Sequence, residues 1–257
     1  MTSAQPGPQR PGTARPPSVR PGEVEKFDRL AGRWWDPAGP MRPLHAMNPL
    51  RVGWIDARIQ ARFGGPQRVL DLGCGAGLAS EALARLGHDV LGVDAARDAI
   101  AAAKAHAEGQ ALPLAYREGT AETLVAEGIR VPVVTALEII EHVTDPAAFL
   151  GLLAQLLEPG GMLFVSTINR TLRSLAVAKI GAEYVVRLLP RGTHEWSRFI
   201  TPAELGRAAS TAGLRLTATR GMSFDLRTRA WQGSADLSVN YLAMLTPHNP
   251  AATLTST

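Results

Sequence analysis

Three alternating glycines, Gly73, Gly75 and Gly77, follow an apolar run at residues 68–72 and open a stretch with helical spacing. A second apolar run further along the chain ends in the carboxylate of Asp94. This order predicts a strand, a tight turn, a helix and a second strand, which form the first half of a nucleotide-type cofactor pocket. At the tip of the second strand, the two oxygens of Asp94 can accept hydrogen bonds from ribose hydroxyls.

An acidic residue, Asp71, precedes the glycines on the first predicted strand. A dinucleotide-binding loop reads G-x-G-x-x-G instead, because a pyrophosphate must lie against the helix N-terminus. An acid at this place would repel a pyrophosphate, but it suits a cofactor with positive charge and no phosphate. We therefore predict S-adenosylmethionine, which carries a sulfonium, an amino group and an adenosine; the alternative is a glycine turn that only lets a helix pack on a sheet.

Two carboxylates and an imidazole, those of Glu138, Glu141 and His142, follow the fourth predicted strand at the carboxyl edge of the sheet. Enzymes that methylate exocyclic amines usually place an Asn/Asp-Pro-Pro-aromatic tetrapeptide here, and its absence from this sequence argues against base or amide-nitrogen methylation. A phenol ionises near pH ~10, so its oxygen needs a general base such as His142, or a cation that stabilises the phenolate. The three side chains could hold Mg²⁺ completed by a catechol, or Glu138 could bond to backbone while His142 packs or caps.

The composition limits the classes of protein that need to be considered. A chain of 257 residues with 46% hydrophobic content can form one large domain. Its net charge is only +4, and without a block of five like charges we expect no nucleic-acid partner. The single cysteine, Cys74, excludes an intramolecular disulfide, and we interpret it as a small spacer in the glycine turn. Neither an 18-residue apolar stretch nor a signal-peptide core is evident, which predicts a cytoplasmic protein.

Alternating strand and helix patterns from residue 68 onward predict an α/β fold with a doubly wound, mostly parallel, seven-stranded sheet. The predicted strands are residues 68–72, 89–93, 114–117, 131–137, 162–168, 215–220 and 238–245, and the predicted helices are 78–86, 96–108 and 146–157. We expect Pro159, Gly160 and Gly161 to stop the last of these helices. The expected domains are a disordered tail at 1–22, an N-terminal helical cap at 23–66, a main domain at 67–248 with an insertion at 170–200, and a disordered tail at 249–257.

Two segments beside the predicted pocket each have two interpretations. Thr120, Ala121 and Glu122 follow the third strand, where an adenine is usually bound, but the same residues suit a plain helix cap. Three of the five tryptophans fall within residues 34–54. They either pack a small subdomain on the core or roof a ligand pocket.

The insertion after the fifth strand is more apolar than a surface helix needs to be. Its residues 171–189 leave only one polar stripe, formed by Lys179, Glu183 and Arg187. The segment packs as a core helix, covers a hydrophobic substrate, or rests on a membrane surface through residues 170–191, with its arginines near anionic headgroups. In the polar segment that follows, His194 is a second candidate for the base.

From about Phe27 to Leu245, this chain resembles the ubiquinone-biosynthesis O-methyltransferases. The shared motifs are Arg33-Trp-Trp-Asp36, Pro43-Leu-His45, Asn48-Pro-Leu-Arg51, Asp71-Leu-Gly-Cys-Gly75, Glu138-x-x-Glu-His-Val143, Thr167-Ile-Asn-Arg170, Gly181-Ala-Glu-Tyr184, Pro190-Arg-Gly-Thr-His194 and Val239-Asn-Tyr241. That family methylates both phenolic oxygens of a polyprenylated ring. The resemblance implies a class I S-adenosylmethionine-dependent methyltransferase fold and polyprenylated phenol or catechol substrates, namely 2-polyprenyl-6-hydroxyphenol and 3-demethylubiquinol.

The resemblance also implies roles for individual residues. In that family the cofactor is held at the positions of Arg51, Gly73, Asp94 and Leu137, with Gly75 in the same turn. The positions of Glu138, Glu141 and His142 match the family's proposed magnesium ligands. Because the family's substrate carries a polyprenyl tail, the resemblance further implies a peripheral location at the inner membrane face and partners from quinone biosynthesis.

The sequence departs from the family at one point. Val131 and Pro132 stand where the fourth strand usually opens with an aromatic-Asp pair, and since proline cannot donate to a ladder we expect this strand to start late.

Two other functions stay as alternatives to methylation of this substrate, a non-catalytic scaffold in a quinone-biosynthesis complex and a methyltransferase for another small phenol. The intact glycine turn and Asp94 argue against the scaffold.

Overall fold

Alternating strands and helices form one sheet in the computed structural model, which describes Ser18 and residues 21–171, 173–174, 198–225, 227–228 and 230–248. Nearly all of both predicted tails and the predicted helix of the insertion lie outside the described residues. The same holds for the polar stripe of Lys179, Glu183 and Arg187, and for the second candidate base, His194.

The helices and strands follow the predicted order. The helices are α1 (Pro21–Leu30), α2 (Arg42–Phe63), α3 (Leu78–Arg85), α4 (Arg97–Ala107), α5 (Ala121–Ala126), α6 (Pro146–Gln155) and α7 (Pro202–Thr211), with 3₁₀ turns at Ala31–Arg33 and Ile140–His142. The strands are β1 (Arg68–Leu72), β2 (Asp89–Asp94), β3 (Leu114–Glu118), β4 (Val131–Leu137), β5 (Leu157–Ile168), β6 (Leu214–Asp225), β7 (Ala230–Ser234) and β8 (Asn240–Pro247).

The sheet has the strand order β3-β2-β1-β4-β5-β8-β6-β7. Strands β1 to β5 pair in parallel, whereas β8, β6 and β7 pair antiparallel. This confirms the doubly wound, mostly parallel sheet. The strand order reverses between β1 and β4, and in such sheets a ligand binds outside the carboxyl ends of the strands at that point.

The described sheet has eight strands where the sequence predicted seven. The added strand is β7, which returns along β6 as a hairpin at the edge of the sheet. Strand β6 runs five residues past its predicted end at Arg220, because its extension pairs with β7. Phe224 lies opposite Trp231 in this pairing, with ring centroids 5.7 Å apart, and such cross-strand aromatic pairs stabilise hairpins.

Helices cover both faces of the sheet and leave its carboxyl edge accessible. Phe149 and Leu153 of α6 belong to one large buried cluster, and Ile55 and Ile59 of α2 belong to a second. Strand β4 is buried along nearly its whole length, as expected for a parallel strand covered on both faces. Among the described helices, none combines the length and the apolar character needed to cross a bilayer.

One expectation about a strand and one predicted helix boundary were wrong, and tertiary pairing explains both. Strand β4 spans the predicted residues 131–137 and does not start late despite Pro132, with Val131 paired to Leu157 and a register shift immediately after it. That irregularity absorbs the missing N–H of proline. Helix α6 ends at Gln155, and the segment Pro159–Gly161 lies within β5 instead of terminating a helix. A Cβ on Gly161 would lie 2.8 Å from the carbonyl oxygen of Pro132, so only glycine fits opposite this proline.

The N-terminal cap begins at Pro21, close to the predicted boundary at residue 23, and proline is favoured in the first helical turn. Its α1 ends at Leu30, and the following 3₁₀ turn directs the chain toward the glycine turn. The side chain of Asp28 accepts a hydrogen bond from the backbone N–H of Asp98, 2.9 Å away in the first turn of α4. The cap therefore contacts the main domain at the carboxyl edge of the sheet.

Candidate cofactor and active site

A cleft of about 770 Å³, measured to its open mouth, lies at the carboxyl ends of β1, β2 and β4. The N-terminal cap covers one side of it through Val24, Trp34 and Leu44. The main domain contributes the remaining lining residues, which are Leu72, Gly73, Gly75, Asp94, Ala95, Gly119, Thr120, Ala121, Leu137, Glu138, Ile139, His142 and Phe149.

The glycine turn forms the floor of this cleft. Gly73, Gly75 and Gly77 have φ values of +70°, +54° and +88°, which side chains rarely tolerate. A Cβ on Gly75 would lie 2.2 Å from the ring of Trp34, and one on Gly73 would lie 2.4 Å from the side chain of Ile139. Glycine is therefore required here both for the backbone conformation and for the close approach of neighbouring groups.

Asp94 lies at the end of β2 and lines the cleft, as predicted. Its Oδ2 accepts a hydrogen bond from the N–H of Gly75 at 2.8 Å, and its Oδ1 accepts one from the N–H of Ala96 at 2.8 Å. These two bonds fix the carboxylate and leave each oxygen able to accept another hydrogen bond. Burial raises the pKa of Asp94 above its usual value, against the effect of both backbone donors.

Asp71 lies behind the glycine turn and is 2% exposed. Its two oxygens accept hydrogen bonds of 2.6 Å from the hydroxyls of Ser80 and Thr135. Burial raises the pKa of Asp71, while these two hydroxyls and the charge of Arg51 lower it. The sequence placed Asp71 beside the cofactor, whereas the structure places it in the interior, where it connects β1, α3 and β4.

Arg51 of α2 is 3% exposed and points its guanidinium at the end of β4. Its Nη2 lies 3.3 Å from Oδ1 of Asn48, and its Nη1 lies 3.6 Å from Oε1 of Glu138. Its Nε is buried and has no hydrogen-bond partner within the described chain. Burial lowers the pKa of Arg51, and the charges of Glu138 and Asp71 oppose that shift, but a guanidinium stays charged at neutral pH.

The three residues that follow β4 do not converge on one point. Glu138 and His142 line the cofactor cleft. Glu141 is 7% exposed, accepts a hydrogen bond from the hydroxyl of Thr167 at 3.1 Å, and lines a second cleft with Arg170 and other residues. The 3₁₀ turn Ile140–His142 separates them, since neighbouring side chains on so short a turn point in different directions.

The remaining predicted pocket residues also have clear positions. Leu137, the last residue of β4, lines the cleft. Thr120 caps α5 by accepting a hydrogen bond from Thr123, which confirms the helix-cap interpretation, and it also lies on the cleft wall. Burial raises the pKa of the Cys74 thiol well above its usual value, so Cys74 stays protonated in the turn.

Sequence reasoning assigned no role to three residues that shape this site. Asn48 lies one helical turn before Arg51, and its amide also donates to the carbonyl of Leu78 at 2.8 Å. The i, i+3 spacing on α2 was a signal that could have identified it. Ser166 of β5 and Ile139 carried no local signal, because their roles depend on which strands become neighbours.

A methyltransferase-domain family model matches residues 50–219 of the chain. The ubiquinone biosynthesis O-methyltransferase of Azorhizobium caulinodans is 46% identical over 234 residues, which cover 88% of this chain and 92% of that protein. The protein of the same description from Cereibacter sphaeroides is 48% identical over 230 residues, or 86% of this chain and 93% of that protein.

This chain belongs to the ubiquinone biosynthesis O-methyltransferase family. The resemblance predicted from its motifs is confirmed. Solved methyltransferases share the fold at low identity. The magnesium protoporphyrin IX methyltransferase of Synechocystis, solved with S-adenosylhomocysteine, has a TM-score of 0.56 at 20% identity over 86% of each chain. The plantazolicin methyltransferase has a TM-score of 0.61 at 16% identity, covering 89% of this chain and 97% of that chain.

The family depends on S-adenosylmethionine, and the residues of the cleft fit that molecule. Asp94 lines the cleft and presents acceptors for two vicinal hydroxyls, which matches the ribose. The buried Nε of Arg51 has no partner within the described chain and is a donor that the methionine carboxylate would satisfy.

A magnesium ion fits less well. Across the residues that the structure describes, no three His, Cys, Asp or Glu side chains come together as a metal site. Glu138 already accepts a hydrogen bond of 2.6 Å from Ser166, and Glu141 faces the second cleft. The arrangement of the three residues predicted as ligands therefore offers no shared position for the cation.

Proposed function

We propose that this chain transfers a methyl group from S-adenosylmethionine to phenolic oxygens of polyprenylated ubiquinone precursors, as the names of its relatives suggest. The observation that carries the proposal is the cleft itself. Asp94, the proposed ribose acceptor, and the imidazole of His142 both line it at the carboxyl edge of the sheet. Its lining is otherwise mostly apolar, which suits a reaction between a sulfonium and a phenolate.

In this proposal, the cofactor supplies an electrophilic methyl group on its sulfonium. Arg51, Asp94 and the backbone of the glycine turn hold the two ends of that molecule, and Leu137 contacts it from the end of β4. An imidazole nitrogen of His142 accepts the phenolic proton, because a neutral phenol is a poor nucleophile at neutral pH. Trp34 and the rest of the cap exclude water, so catalysis comes mainly from proximity and orientation in a dry cleft.

The test is methyl transfer to a prenylated catechol, with and without a chelator, by the wild type and by His142→Gln. We expect transfer by the wild type, and a turnover about 10²- to 10⁴-fold lower in the variant at unchanged affinity for S-adenosylhomocysteine. His248→Ala is the matched control. His248 is exposed at the end of β8 and takes no part in the proposed reaction, so this variant should keep the turnover of the wild type.

Each outcome separates a different alternative. Transfer that chelation abolishes and Mg²⁺ restores would favour a metal-assisted reaction over proton abstraction by His142. Full activity of His142→Gln would shift the role of base to His194, to be tested by His194→Gln. Binding of the cofactor without transfer to any catechol would favour the scaffold or another phenolic acceptor.

We also propose that the chain works at the inner membrane face, with the insertion at residues 170–191 in contact with lipid or with other quinone-biosynthesis proteins. An apolar polyprenyl tail partitions into the bilayer, which supports this location. The described arginines at the start of the insertion form ion pairs within the fold, Arg170 with Glu204 and Arg173 with Asp236. Co-sedimentation with anionic and with neutral vesicles tests the contact, and absence of binding to both would favour attachment through a protein.

A further inference from the structure

Glu138 has an unusual backbone conformation for its residue type. Its φ is +57°, one of two positive values among the described non-glycine residues. Its N–H donates to the carbonyl oxygen of Ser166 at 3.1 Å, and its Oε1 accepts a hydrogen bond from the hydroxyl of Ser166 at 2.6 Å. Strained residues of this kind persist where the surrounding structure holds them, and they are concentrated at functional sites.

Glu138 takes part both in the cleft wall and in an ion pair with Arg51, which is almost fully buried. The distance of 3.6 Å between Nη1 and Oε1 is that of an ion pair without a short hydrogen bond. Because Oε1 is fixed by Ser166, Glu138 does not depend on Arg51 for its own position.

Arg51, in contrast, depends on its neighbours for its orientation. Asn48 contacts Nη2, Glu138 attracts Nη1, and the buried Asp71 is the other carboxylate whose charge acts on the guanidinium. With Glu138 present, the guanidinium is attracted toward the cleft. Without that charge, the attraction of Asp71 would draw it into the interior.

We propose that Glu138 is a positioning residue, which holds the guanidinium of Arg51 at the cleft so that it can bind the carboxylate of the cofactor's methionine end. This inference rests on the role of Arg51 under the proposed function. It assigns Glu138 to cofactor binding, whereas its motif suggested a magnesium ligand. Ser166, which fixes Glu138, supports the same arrangement from β5.

The test compares two ligands that differ only at the methionine end. S-adenosylhomocysteine has the carboxylate and an ammonium there, and its decarboxylated form keeps the ammonium but lacks the carboxylate. For Glu138→Gln, which keeps the acceptor for Ser166 but removes the charge, we expect an affinity for S-adenosylhomocysteine about 10-fold lower. The affinity for the decarboxylated form should change by less than about twofold. Calorimetry in the presence of a chelator gives both values with metal excluded.

Two variants serve as references. Glu158→Gln removes a carboxylate from the 2.5 Å ion pair with Arg68 at the opposite edge of the sheet, and should leave both affinities unchanged. Arg51→Lys should selectively lower the affinity for S-adenosylhomocysteine, because lysine lacks the two parallel N–H donors with which arginine binds a carboxylate. If Arg51→Lys is selective and Glu138→Gln is not, the inference is overturned while the role of Arg51 stands. If neither is selective, both the inference and the proposed role of Arg51 fail.

Two further results would also overturn the inference. An equal loss of affinity for both ligands in Glu138→Gln would show that Glu138 has a general structural role. Unchanged binding of S-adenosylhomocysteine together with lost binding of Mn²⁺, measured with the metal alone, would show that Glu138 is a metal ligand. A failure to methylate a catechol while these binding differences persist would count against the proposed acceptor only.

Discussion

Trp35 of the N-terminal cap stacks on His106 of α4, with ring centroids 3.4 Å apart and ring planes inclined by 2°. Nδ1 of His106 lies 2.6 Å from Oε1 of the fully buried Glu81. The indole N–H of Trp35 donates to the carbonyl oxygen of Ala76 at 2.9 Å, within the glycine turn. Trp35 therefore attaches the cap to the turn and to α4 at once, and its neighbour Trp34 is held over Gly75.

Trp35→Phe should weaken this attachment, because phenylalanine keeps a ring for stacking but cannot donate to Ala76. We expect a loss of about 1 kcal/mol in the free energy of unfolding and faster release of S-adenosylhomocysteine. Urea denaturation and stopped-flow fluorescence measure the two effects. Trp54→Phe is the matched control, since the indole N–H of Trp54 is buried with no partner in the described chain. Equal effects of the two variants would mean that the Trp35 bond does not hold the cap.

Gly75→Ala should impair both folding and cofactor binding. Its φ of +54° is unfavourable for alanine, and the new Cβ would lie 2.2 Å from the ring of Trp34. Gly109→Ala is the control, because Gly109 has a φ of +74° but nothing within 4 Å of its Cβ position. We expect about 1 kcal/mol of destabilisation from the backbone strain in Gly109→Ala, and clearly more in Gly75→Ala.

Thermal unfolding and calorimetry with S-adenosylhomocysteine compare the two glycine variants. Gly109→Ala should bind the ligand normally, whereas Gly75→Ala should not bind it. Similar destabilisation of both variants, with binding retained, would show that Trp34 moves away from the turn at little cost. The cap would then be a loose cover of the cleft.

The sequence predicted those parts of the site that depend on local order along the chain. A strand, a glycine turn, a helix and an acid at the tip of the next strand form one continuous unit, so Gly75 and Asp94 were found by pattern alone. The ion pair of Arg51 and Glu138 joins α2 to the end of β4, and no local pattern reports such a contact. The same limit applies to Ser166, which reaches Glu138 only because β4 and β5 pair.

The errors in the predicted elements have a related cause. Pro159 and the two glycines after it are typical of a chain break, but pairing with β4 extends β5 through them. Strand β7 was missed because a five-residue segment at a sheet edge is defined by its partner β6 more than by its own composition. Tertiary context outweighed local preference in both places.

Asp71→Asn tests whether the interior carboxylate destabilises the fold when it ionises. Burial raises the pKa of Asp71 in the folded state above its unfolded value near ~3.9. A raised pKa means that the stability contributed by Asp71 is fully present below the unfolded value and is lost as the pH rises through the folded value. Asparagine does not ionise, and the hydroxyls of Ser80 and Thr135 can donate to or accept from its amide.

We therefore expect the unfolding free energy of Asp71→Asn, relative to that of the wild type, to increase as the pH rises from about 4 to 7. The increase should be about 1.4 kcal/mol for each unit by which folding raises the pKa of Asp71. Urea denaturation across this range measures it. Asp225→Asn should change little over this range and show the opposite sign below about pH 4, because backbone donation from Arg227 lowers the pKa of the exposed Asp225, whose contribution is lost as the pH falls below its unfolded pKa. A difference for Asp71 that decreases with rising pH would mean that the attraction of Arg51 exceeds the cost of burial. The ionised carboxylate would then stabilise the sheet beneath the glycine turn.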